Sequence, residues 1–143
     1  MRKMYILCLV IITAITVLFL KFYKDDSSLC EEFLRSLGYE FDVATSEKYI
    51  IPKDFDSSLY DYNLMLLSQG YDLSLYKGKV STRYTYPITN VTFPLYANIL
   101  IFNGKIIATD LTNPQIDGFT MPVVHIKDLM KYHIPATKDA VMP

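Results

Sequence analysis

Few side chains in this 143-residue sequence have the type and spacing that chemistry requires. The two histidines, His125 and His133, would stand about 12 Å apart on a continuous helix, too far to share a metal ion. Asp128 could join only one of them, so no metal centre is expected. Cys30 could act as a nucleophile only beside a base. It falls instead on the apolar repeat Cys30, Phe33, Leu34, Leu37 and reads as core. No serine sits in a Gly-x-Ser-x-Gly elbow, and the five glycines are scattered, so no phosphate-cradling loop or cofactor site is expected. Two groups remain. Asp110 and Asp117 could form an acid and base pair of the kind that cleaves glycosidic bonds. Arg83, Tyr84, Tyr86, Tyr96 and Asp110 fall on strands expected to be neighbours and could form a binding surface for protein or glycan. The plain alternative for the second group is a cross-strand ion pair beside half-buried aromatic rings.

The elements that would position these groups begin with an apolar segment. Residues 4–20 carry no charge, and 17 helical residues rise roughly 25 Å, enough for a short transmembrane helix. Phe22 and Tyr23 extend it into the interface, and Lys21 can snorkel. Large residues fill the end of the segment where a signal peptidase needs small ones, so an uncleaved anchor over residues 1–24 is expected. Arg2, Lys3 and the amino terminus favour an N-terminus in the cytoplasm and a domain outside.

Beyond Lys24 the chain carries 10 basic against 15 acidic side chains. So acidic a domain is a poor match for nucleic acid, whose phosphates need concentrated positive charge. Cys8 and Cys30 lie on opposite sides of the anchor boundary, so no disulfide between them is expected. Twelve tyrosines and no tryptophan suit strands with one wetted face.

Ser28 and Glu31 have the spacing of a capping box, predicting a helix over residues 29–37 closed by Gly38. Residues 39–44 alternate as a strand, and 48–51 form a second extended piece ended by Pro52. Asp54 or Asp56 can cap a helix running to about Gln69, with Phe55, Leu59, Tyr62 and Leu66 as its stripe and Tyr60, Leu64 and Leu67 widening it. From Lys79 the period becomes two. Val80, Thr82, Tyr84, Tyr86 and Ile88 share one face, and Ser81, Arg83 and Thr85 the other. Residues 95–102 are apolar on both faces, the mark of a central strand. Asn103 and Gly104 make a type I′ hairpin signal leading to a return strand over 105–111, and Asp117 and Gly118 mark another turn. A last strand or short helix is expected over 123–133. The predicted fold is α+β, with two helices packed on one face of a three- to five-stranded antiparallel sheet. This domain spans 25–134, and a flexible tail spans 135–143.

Several motifs together resemble a family of small bacterial proteins that carry a domain of unknown function, common in Gram-positive anaerobes of the clostridial type. They are Ile51-Pro52 with Phe55, Tyr62-Asn63, Gly70-Tyr71-Asp72-Leu73 with Tyr76-Lys77-Gly78-Lys79, Arg83-Tyr84-Thr85-Tyr86, Ala97-Asn98, Asn103-Gly104-Lys105 with Asp110, and Asp117-Gly118-Phe119. The resemblance covers about residues 29–120. It implies a bacterial, membrane-anchored domain outside the cytoplasm, and it supplies no activity. The expectation is therefore a non-catalytic interaction module at the cell envelope, with an envelope protein or glycan as partner. An envelope enzyme using the carboxylate pair, and a sensor or inhibitor that takes a peptide at a sheet edge, are the alternatives.

Overall fold

Alternation from Lys79 onward is realised as one sheet. The computed structural model describes Tyr5, residues 9–15, residues 25–129 and Lys131. Five antiparallel strands, β1 (Thr45–Ile50), β2 (Val80–Pro87), β3 (Tyr96–Phe102), β4 (Lys105–Thr112) and β5 (Thr120–Met121), lie side by side in chain order. The β3–β4 hairpin turns through Asn103 (φ 49°) and Gly104 (φ 70°), both left-handed as a type I′ turn requires. Leu100 pairs with Ala108 but Ile101 with Ile106, so Ile107 is an extra residue and β4 carries a bulge there.

Helices cover both faces of this sheet, which corrects the expectation that they share one. Helix α1 (Asp26–Ser36) packs Cys30 and Leu34 against Tyr86, Ala97, Ile99, Ile101 and Leu111. Helix α2 (Ser57–Leu67) and a 3₁₀ turn (Leu73–Tyr76) pack Leu66 and Leu73 with Leu100, Ile107 and Ala108 on the opposite side. The cause is β3 itself. Successive side chains point to opposite faces, and Ile99 and Leu100 are both apolar and both buried. A strand of that kind needs cover above and below.

Local signals explain most boundaries. Asp56 caps α2, its Oδ1 accepting the Leu59 amide at 2.8 Å. Phe55, Leu59, Tyr62 and Leu66 face the sheet. Tyr60, Leu64 and Leu67 do not widen that contact and are exposed, because their row lies on the outer side of α2. The predicted capping box does not form. Helix α1 already begins at Asp26, which places Ser28 inside its first turn. Its far end closes as predicted: Gly38 takes φ 87°, its amide reaches the Arg35 carbonyl, and the Tyr39 amide reaches Leu34. This pair of bonds is a Schellman motif.

Residues 39–44 are extended but are not a strand of the sheet. Only Phe41 bridges to Ile88, and Val43 is exposed. The C-terminal piece becomes a short helix, α3 (Ile126–Leu129), which closes the α1 side. The Ile126 amide donates to Leu37 at 3.0 Å, and the Tyr39 hydroxyl donates to Val124 at 2.7 Å.

Of the segment read as an anchor, Tyr5 and residues 9–15 are described, and they are helical and exposed. Among the described residues no helix is long and apolar enough to cross a membrane. The remainder of the predicted 4–20 span, and the predicted tail 135–143, lie outside the described residues.

Candidate functional site

The α2 stripe does not reach the whole sheet. Between α2 and its face of the sheet lies an open cleft of about 470 Å³, lined from Tyr49 on β1 to Thr120 on β5. Tyr62, on the buried stripe of α2, points its hydroxyl at this opening. Its donation to Oδ2 of Asp110 is 2.7 Å long. Asp110, on β4, is only 6% exposed, so its charge is held almost dry. Two more donors satisfy the carboxylate: Asn98 Nδ2 and Thr112 Oγ1, each 2.8 Å from Oδ1. A buried charge persists only where such bonds replace water. Burial, with the Asp110 charge beside it, pushes the Tyr62 hydroxyl well above the usual phenol range, so it stays protonated as the donor.

The bonds extend across the sheet. Thr85 on β2 donates to Asn98 Oδ1 at 2.9 Å, and the Thr112 and Thr120 hydroxyls meet at 3.2 Å. A row of small polar groups thus crosses β2, β3, β4 and β5 along one face. At the β1 side, Arg83 stacks over the Tyr49 ring at 4.2 Å and pairs with Glu47 at 3.2 Å.

Of the residues singled out from the sequence, the cleft brings together Arg83 and Asp110. Arg83 pairs with Glu47 rather than with Asp110. Tyr84 and Tyr86 lie on the other face of β2, in the α1 core. Tyr86 is 1% exposed and packs edge-on against Phe41. Tyr96 shares the cleft face by register but does not line the cleft. Tyr49, Tyr62, Asn98, Thr112 and Thr120 were not singled out. Asn98 had a signal: it is the one polar side chain inside an otherwise apolar β3.

The carboxylate pair does not assemble. Asp117 is exposed in the turn between β4 and β5 and does not line the cleft. The second carboxylate there is Asp56, occupied as the α2 cap. Cys30 is fully buried, and burial, reinforced by Asp26, pushes its thiol up to about 12. It remains a thiol and is no nucleophile. Asp128 pairs with Lys131 at 2.8 Å, and His133 lies outside the described residues. Among the described residues no three metal-ligating side chains are grouped. Comparison of the chain with models of protein families, with curated proteins and with solved structures finds no match.

Proposed function

We propose that this protein is a membrane-anchored, non-catalytic interaction module of the bacterial cell envelope, and that it binds through the cleft between α2 and the sheet. One observation carries the reading. The cleft's only deeply buried carboxylate, Asp110, already accepts three hydrogen bonds from Tyr62, Asn98 and Thr112. A group so held is poorly placed to take a proton from a substrate, while a rigid polar surface is well suited to recognition. Arg83 and Tyr49 add a cation and an aromatic ring at the rim, both common in binding surfaces for protein or glycan. The uncharged run over residues 4–20 supports the anchor, and Arg2 and Lys3 support a domain facing outward. The bacterial setting rests on the motif resemblance alone.

A second mode has its own observation. β1 is an edge strand with five of its six side chains exposed, and a peptide could extend the sheet there. Glu47 and Lys48 on that strand restrict such pairing to a partner that matches their charge.

The test uses the full chain in its own membrane. A photo-reactive side chain at Ser58, on the cleft rim, should capture a discrete envelope component, and R83E should abolish the capture. The same group at Val43, exposed and away from the cleft, should capture nothing comparable. Equal capture from both positions, or capture indifferent to R83E, would overturn the proposal.

A further inference from the structure

The acidic balance of the domain hides a polarity along the strands. β1 ends, β2 begins and the β3–β4 hairpin turns at one end of the sheet. Lys48, Lys53, Lys77, Lys79 and Lys105 all lie at that end, and all are exposed. The Lys53 stem packs over Gly78, which sets it beside Lys77 and Lys79. These are half of the ten cationic side chains beyond Lys24. Carboxylates are interleaved with them: Asp25, Asp26, Asp54 and Asp72 share the region, and Glu47 and Asp56 adjoin it. Among the described residues the other four cations, Arg35, Arg83, Lys127 and Lys131, are outnumbered by the ten carboxylates other than Asp25, Asp26, Asp54 and Asp72.

The same end carries exposed apolar groups. Ile50 and Val80 are a directly paired couple on the α1 face, 67% and 51% exposed, and Leu75 stands out from the 3₁₀ turn at 73%. It is also where the chain arrives from the apolar segment. Asp26, first residue of α1, lines one hollow with Val80, Thr82, Asn103 and Gly104. Between residue 20 and residue 25 the chain can reach at most roughly 17 Å.

We propose that this lysine-rich end of the sheet docks on the anionic bilayer that holds residues 4–20, with phospholipid phosphates against the lysines and with Ile50 and Val80 at the acyl boundary. The inference rests on the anchor reading. Its chemistry is that of interfacial binding, where a few lysines near a negative surface act together with a small apolar area. The short connection keeps this end close to the lipid, so little entropy is lost on docking. The acidic remainder is repelled by the same surface, which sets one orientation and leaves Thr112 and Thr120, toward the far end, away from the lipid.

The chain contains no tryptophan, so a single one reports cleanly. Full-length V80W and I116W, the latter on the exposed loop at the opposite end, are reconstituted into phosphatidylglycerol vesicles with brominated acyl chains. V80W should be quenched roughly twofold relative to unbrominated vesicles, and I116W should be unchanged. K79E/K105E, added to V80W, should remove the quenching while the protein still floats with the vesicles. Flotation without V80W quenching would overturn the docking and leave the anchor standing. Equal quenching of V80W and I116W would overturn the orientation, and undiminished quenching in phosphatidylcholine would overturn the anionic-lipid assignment. Failure to float with either lipid would overturn the anchor and the docking together.

Discussion

Tyr62 on α2 donates a 2.7 Å hydrogen bond to Asp110 on β4, fastening a helix to a strand 48 positions away in the chain. The bond lies where α2 gives way to the cleft, so it serves both packing and the site. Removing the hydroxyl leaves a nearly dry carboxylate one donor short. Y62F should destabilise the domain by about 1–3 kcal/mol in urea denaturation. Y62F/D110N should cost less than the sum of the two single changes, because the charge needing the donor is gone. Strict additivity would show that the two residues are not coupled.

Alkaline pH should unfold the domain through its buried tyrosines. Burial raises the hydroxyls of Tyr39, to about 12, and of Tyr62 and Tyr86, above the ordinary phenol value. The folded state therefore holds these protons more tightly than the unfolded state. Their contribution is fully present below the unfolded value near pH 10 and is lost as pH rises above it. The urea midpoint should hold steady through neutral pH and fall beyond about pH 10. In Y62F the fall should be shallower, and an identical slope would remove Tyr62 from the account.

Two glycines are required for different reasons, and substitutions separate them. Gly104 has φ 70° with nothing near the position of a β-carbon, so only its backbone conformation is demanding. G104V should cost about 1–3 kcal/mol, while G104N, which tolerates the left-handed region, should cost much less. At Gly118 a β-carbon would run into the backbone carbonyls of Asn113 and Gln115. G118A and G118N should both destabilise. Thermal melts of the four variants check the pattern, and tolerance of G118A would show that the 115–118 turn can open.

Cys30 should be silent to thiol reagents in the native state. It is fully buried and its thiolate is strongly disfavoured. In a C8S background, labelling by a maleimide should begin only where denaturant unfolds the domain. Prompt labelling of the folded protein would contradict the packing of α1 on β2 and β3.

Protease added to intact cells should remove the chain from about residue 25 onward. Full protection that ends only when the membrane is breached would reverse the proposed topology.

Much of this architecture is legible in the residues. The alternation of Val80, Thr82, Tyr84 and Tyr86 against Ser81, Arg83 and Thr85 sets the two faces of β2. The double apolarity of β3 marks it as central, which its place third of five bears out. Its further consequence, one helix on each face, follows from the same residues but requires the cover to be counted as well as the strand. Grouping Arg83 with Tyr84 and Tyr86 because their strands are neighbours fails, since the same alternation puts Arg83 on the face opposite the two tyrosines. The partnership of Tyr62, Asn98 and Asp110 was not legible. It depends on the register Asn98 opposite Asp110 and on α2 crossing above it, and no local pattern encodes either. Ser28 misplaced the start of α1 because Asp25, Asp26 and Ser27 are equally able to open a helix.

Each strand of this sheet bonds to its neighbour in the chain, so the ribbon can be laid down in the order in which it is made. The α1 side cannot be finished that way. Phe119, Met121, Val123, Val124, Ile126 and Leu129 all pack on the core that begins with Leu29, Cys30 and Phe33. Until those last residues emerge, the helix nearest the apolar segment keeps an open flank. A chain cut short before residue 119 would carry a nearly complete sheet and an unsealed core, which is the form a quality-control protease is equipped to notice.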